Sequence, residues 1–293
     1  MARPFDSTDA KRIIERHRKL LAELVRAEES FDGLRAAITK TSDELVAQEV
    51  LNVLKDIPVD ELNRDKRGIR IKLLREHGYQ SIADIAGASV FSLASINGIS
   101  DDAAYYIKHV ADQIVSTTRQ GVKIRLSEDN KSPAATQVVL AISKFRNSEQ
   151  YIIEARKLNK VYSSEIEYAI EDLQAATGGL KWLFSSKQKK QKAISAYDTL
   201  TGLLQGTYYS RARENLDALD RINATTGSEA WSDFSENSIR LFNTLEDINP
   251  GILGTDDAIY GLPEELAREI QDQDFFPDGL LCELRRYQEW GVK

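Results

Sequence analysis

Apolar residues recur every three or four positions through most of this chain, and that spacing commits it to helices packed along one face. Ile13, Ile14, Leu20, Leu21, Leu24, Val25 and Phe31 form a first stripe, and Leu45, Val46, Val50, Leu51 and Leu54 form a second. The second stripe stops at Ile57-Pro58, because a residue preceding proline is pushed out of helical geometry. Later stripes run through Val138, Val139, Leu140, Ile142 and Phe145, and through Ile166, Tyr168, Ile170 and Leu173. Beyond Gly178-Gly179 come Leu183, Phe184, Ile194, Tyr197, Leu200, Leu203 and Leu204, then Leu216, Leu219 and Ile222. Beyond one brief piece, no convincing run of strands alternates with the period of two that a half-buried sheet needs. The predicted fold class is all-α.

Turn formers divide the pattern. Asp32-Gly33 predicts a turn, so residues 1–58 read as a helical hairpin. Residues 59–120 hold short helices separated by Gly68, Gly78, Gly87 and Gly98. Residues 121–133 read as a linker with a brief extended piece at 122–126, and residues 134–249 as a helical bundle. Residues 250–293 are acidic and open on Pro250-Gly251.

Bulk chemistry excludes several classes of function. The lone cysteine, Cys282, leaves no internal disulfide, and the first residues lack an apolar export segment. No stretch approaches the roughly 18 apolar residues of a membrane span. A cytoplasmic protein with no membrane partner is expected. His17, His77 and His109 lack metal-ligand spacing, and no carboxylate pair suggests acid–base work. Catalysis by these residues alone is not expected. The formal charge of −7 conceals basic clusters at Arg64, Lys66, Arg67, Arg70 and Lys72 and at 181–192. Such clusters attract phosphate backbones even on an acidic protein.

The strongest internal motif is Leu93-Ala-Ser-Ile-Asn-Gly-Ile-Ser-Asp-Asp-Ala-Ala-Tyr-Tyr-Ile107. It combines an apolar anchor, a turn on Asn97-Gly98, the plug Ile99 and a helix capped by Ser100, which is a helix-hairpin-helix. With Leu74-Arg-Glu-His-Gly-Tyr-Gln-Ser-Ile-Ala-Asp-Ile-Ala86 upstream, residues 74–107 resemble the small helical domain of strand-exchange recombinases. The resemblance implies that Asn97, Gly98, Ile99 and Ser100 touch a DNA backbone without reading sequence, with Lys108 nearby. Ser100 replaces the second hairpin glycine, and Asp101 and Asp102 would repel a phosphate at that point. A structural or protein-docking role for the hairpin therefore stays open. Lys187, Lys189 and Lys190, beside Trp182 and Phe184, form a second candidate for nucleic acid, through stacking and charge. Against it, Leu183 and Phe184 fit an apolar stripe with the lysines on its wet side.

The last residues, Leu284-Arg-Arg-Tyr-Gln-Glu-Trp-Gly291, resemble the first helix of the ATPase core of bacterial Swi/Snf-type DEAD/DEAH-box helicase-like proteins. That likeness implies an adenine-side pocket of Arg285, Tyr287 and Gln288, with ATP and Mg²⁺ bound by the core that follows. Leu284, Tyr287 and Trp290 also suit the apolar stripe of an ordinary helix. No G-x-x-x-x-G-K-[ST] occurs in these residues, so neither cofactor is expected to be held by them alone. The expected role is an accessory region that places DNA, or a protein partner, against a following helicase core. The alternative is a helical protein-binding adaptor with no nucleic-acid role.

Overall fold

The computed structural model describes residues 4–253. These residues form ten α-helices and no strand, so the all-α expectation holds. The helices are α1 (Ser7–Asp56), α2 (Ile71–Glu76), α3 (Ile82–Gly87), α4 (Val90–Ala94) and α5 (Asp101–Gly121). They continue with α6 (Pro133–Leu173), α7 (Gly179–Phe184), α8 (Lys187–Gln205), α9 (Thr207–Asn223) and α10 (Gly227–Ile248).

The hairpin expected over residues 1–58 is instead one helix of 50 residues. Its inner face shows why. Buried Ala10, Ile13, Ile14, His17, Leu20, Leu24 and Ala27 lead to half-buried Phe31 and Leu34, then to buried Ile38, Ser42, Leu45, Val46, Val50 and Leu54. Every step is three or four residues or closes the same turn, so the two stripes share one phase. Gly33 lies on the exposed side, where a helical glycine costs only about 1 kcal/mol relative to alanine.

The chain forms two compact units that do not follow chain order. Among the described residues, one comprises those up to Ala37 together with Leu140–Ala230, and the other comprises Ile38–Val139 with those from Trp231 to Leu253. Long helices cause the interleaving, since α1 and α6 each supply residues to both units. The expected bundle over 134–249 is therefore shared between them.

In the first unit the core gathers Phe5, Leu20 and Leu24 with Ile152, Leu158, Ile166, Leu173, Leu200 and Leu216. Phe5 stacks on Tyr197 with ring centroids 3.8 Å apart. His17 is fully buried, and its Nε2–H donates to the Leu200 carbonyl at 2.9 Å. Its Nδ1 meets no hydrogen-bond partner among the described residues. Burial holds the imidazole below its ordinary pKa of 6.5, outweighing the Leu200 bond, which favours the charged form; neighbouring Arg16 lowers it further. The folded chain thus keeps His17 neutral while the unfolded chain protonates first as pH falls. Stability is full above pH 6.5 and declines below it, down through the folded pKa. Thermal melting followed from pH 8 to about pH 5 is expected to show this loss, and His17→Gln to flatten it.

In the second unit, Val59 N–H donates to the Gln80 carbonyl and Ile82 N–H to the Ile57 carbonyl, at 3.0 and 2.9 Å. These bonds fasten the end of α1 to the start of α3. Ser81 caps α3 through a reciprocal box with Asp84, whose carboxyl is held below its usual range by the Ser81 and Gln80 amides. The 121–133 segment is more than a linker. Ile124 and Leu126 are buried, Ile124 N–H donates to the Ile252 carbonyl at 3.1 Å, and Lys123 Nζ donates to the Gly251 carbonyl. Ser132 then caps α6, which Pro133 opens from the position that suits its missing N–H. Helix α10 is kinked at Asn237 (φ −134°, ψ 25°).

Candidate nucleic-acid interface

The predicted hairpin forms between α4 and α5. Ile96 and Ile99 are buried as apolar plugs, and Ile99 N–H donates to the Ile96 carbonyl at 2.9 Å to close the turn. Gly98 adopts φ +98°, and a Cβ there would stand 3.1 Å from both Arg70 Nη1 and Leu73 Cδ1. Geometry and space both select glycine. Ser100 Oγ accepts from Ala103 N–H at 3.3 Å, the cap its position suggested. Asn97, Gly98 and Ser100 are exposed, whereas the Ile99 side chain points inward, which leaves only its backbone for any ligand. Asp101 and Asp102 stand exposed in the first turn of α5.

The other sequence candidates are distributed differently. Lys108 is turned into the fold: Nζ donates to the Ala86 carbonyl at 2.5 Å and lies 3.5 Å from Asp112. Its cation serves the carbonyl end of α3, a stabilising place for positive charge. In the first unit, Lys187, Lys189 and Lys190 occupy the first turn of α8 behind the Ser186 cap. Lys190 Nζ donates to the Leu183 carbonyl at 3.3 Å and sits 5.8 Å from the Trp182 ring centroid. Leu183 and Phe184 do not join the core stripe expected of them; they are 66% and 83% exposed. Arg285, Tyr287 and Gln288 lie outside the described residues.

A loop that spacing alone did not join to the hairpin completes the site. Residues 59–75 carry six cations against three acids. Asn63 organises the stretch: Lys66 N–H donates to its carbonyl at 2.8 Å, and Gly68 and Ile69 N–H donate to its Oδ1 at 3.1 and 3.3 Å. This stitching holds Lys66 at φ +55°, a left-handed conformation that lysine seldom adopts. Arg70 then reaches 28 residues along the chain, donating from Nη1 to the Gly98 carbonyl at 3.1 Å. Arg75 pairs with Asp60, and Lys72 lies 3.9 Å from Glu76. The side chains of Arg64, Lys66 and Arg67 have no hydrogen-bonding or ion-pair partner among the described residues and are exposed. The signal available in the sequence was the charge density around a turn-forming Asn63 and Gly68.

Beside this loop a groove of about 680 Å³ opens against α5. Ile57, Leu62, Val110 and Ile114 supply apolar lining, while Arg64, Arg67, Tyr106 and His109 bring polar groups to it. Among the described residues no cluster of histidine, cysteine or carboxylate side chains is placed to hold a metal ion, and no helix is long and apolar enough to cross a membrane. No family model, curated protein or solved structure matches the chain.

Proposed function

We propose that this chain binds a DNA backbone without reading its sequence, through the 64–70 loop and the adjoining hairpin. It would act as the accessory region of a Swi/Snf-type helicase motor. The observation that carries this reading is the Arg70–Gly98 hydrogen bond, which ties the end of the basic 64–70 loop to the exposed hairpin turn, while Arg64, Lys66 and Arg67 have no hydrogen-bonding or ion-pair partner among the described residues. Exposed, unpaired Lys and Arg side chains release counterions from a phosphate backbone and steer it without base readout. The motor half rests on the resemblance at Arg285, Tyr287 and Gln288, and ATP and Mg²⁺ would belong to the core beyond them.

Binding of a labelled oligonucleotide, followed by anisotropy across salt concentrations, tests the reading. Three or four phosphate contacts give a log–log slope of about −2 to −4 against salt concentration. Absent binding, or binding indifferent to salt, overturns it. The adaptor reading has its own support in the first unit, where Leu180, Leu183 and Phe184 are 74%, 66% and 83% exposed on one face of α7. An apolar face of that kind suits a protein partner better than a phosphate chain.

A further inference from the structure

The groove between the 61–67 segment and α5 has a shape that a duplex backbone does not require. It is concave, with about 680 Å³ of space and a mixed lining in which Ile57, Leu62, Val110 and Ile114 supply the apolar part. That volume falls within the roughly 300–1,000 Å³ of sites that enclose small ligands. Arg64 and Arg67 line the groove and also belong to the basic loop. Tyr106 and His109 are presented from α5 at i, i+3 spacing, so both rings share its groove-facing side.

From this geometry we infer that the groove receives an unpaired nucleotide, the base entering between Tyr106 and His109 while its phosphate rests on Arg64 and Arg67. The inference rests on the DNA-binding reading and narrows it from backbone in general to single-stranded or splayed DNA. Two features favour an unpaired base, and a third assigns its phosphate to the arginines. Aromatic faces bind bases only when these leave the duplex stack. The apolar side chains in the lining do nothing for a phosphate backbone but desolvate a base. Finally, Asp101 and Asp102 weaken the hairpin's own helix end as a phosphate site, which leaves the neighbouring arginines as the stronger one. Glu61 and Asp65 also line the groove. They repel phosphate from their own positions and are hydrogen-bond acceptors for an exocyclic base amine.

The test compares a fluorescent oligodeoxycytidine, whose bases carry an exocyclic amine, with a blunt duplex of equal length, using the full chain. Wild-type protein is expected to bind the single strand roughly tenfold tighter, since one stacked base suffices for that preference. Tyr106→Ala combined with His109→Ala removes the preference and leaves duplex affinity unchanged, whereas Tyr106→Phe keeps it. Circular dichroism melting confirms that the variants fold. Photo-crosslinking of an oligonucleotide carrying 5-iodouracil is expected to label Tyr106 or His109. Equal affinity of the wild type for both substrates, a preference that survives the double alanine variant, or labelling elsewhere overturns the groove assignment. Duplex binding that persists with its salt dependence through any of these results leaves the backbone reading standing, while its absence sinks that reading separately.

Discussion

Reversing the charge at Lys66 and Arg67 (K66E with R67E) is expected to lower DNA affinity about a hundredfold near 0.1 M salt and to shallow the salt slope by roughly 2. Both side chains are exposed and have no partner among the described residues, so their replacement breaks no internal contact. Each reversal removes one cation and adds one anion facing a phosphate, worth on the order of 1 kcal/mol per unit charge even with solvent screening. Four units of change would come to about 4 kcal/mol if additive; imperfect geometry brings the expectation down to about 3, or a hundredfold. Lys66 also leaves open whether its left-handed backbone contributes, and Lys66→Gly answers this. Glycine relieves the strain and removes the charge, so an affinity loss without any fall in melting temperature isolates the electrostatic part. Unaltered affinity in the charge-reversed protein would place the DNA contact elsewhere. The same reversal at Lys187 and Lys189 supplies the comparison within the first unit, where these exposed lysines begin α8.

The parts of this site that lie within one turn of chain were legible in the sequence. Gly98 needed its left-handed angle, Ser100 capped α5, and Ile96 and Ile99 became plugs, all from chemistry local to ten residues. Relations across longer separations were not. The Arg70–Gly98 bond joins two motifs that read as independent, and no periodicity encodes which arginine reaches which carbonyl. Lys108 looked like a surface cation near the hairpin, but its direction was set by the free carbonyls ending α3, which spacing does not report. The turn-forming pair Asp32-Gly33 predicts a break in what is one continuous helix, α1. The half-buried Phe31 and Leu34 and the buried Ile38 show the stripe running straight through it, and burial along a whole face outweighs one unfavourable residue. Leu183 and Phe184 failed in the opposite sense: their spacing suits a core, yet α7 is only six residues long and buries none of them.

Truncating Phe234 to alanine is expected to have the largest effect on stability of any single change in the second unit, about 3–5 kcal/mol. Its side chain is fully buried. Its ring lies edge-on to Trp231 at 5.1 Å and to Phe242 at 5.5 Å. Edge-to-face pairs of this kind add to the simple burial of area, and both are lost together. The neighbours cannot easily collapse into the space. Trp231 is tethered through Nε1 to Thr136 Oγ1 at 3.0 Å and carries Lys131 5.4 Å above its ring, while Phe242 is itself almost wholly buried. A cavity therefore persists, and the melting transition of this unit should fall by roughly 10 °C or more. Phe91→Ala is the control: that ring is 84% exposed on α4, and its loss should change stability by no more than about 0.5 kcal/mol. Differential scanning calorimetry of the two variants separates the outcomes, and a shift for Phe234→Ala no larger than that of Phe91→Ala would mean the aromatic cluster does not hold this unit together. Because α10 from Trp231 onward and the hairpin belong to the same unit, DNA affinity measured below the lowered transition should match wild type, and above it should vanish along with the loop geometry set by Asn63 and Arg70.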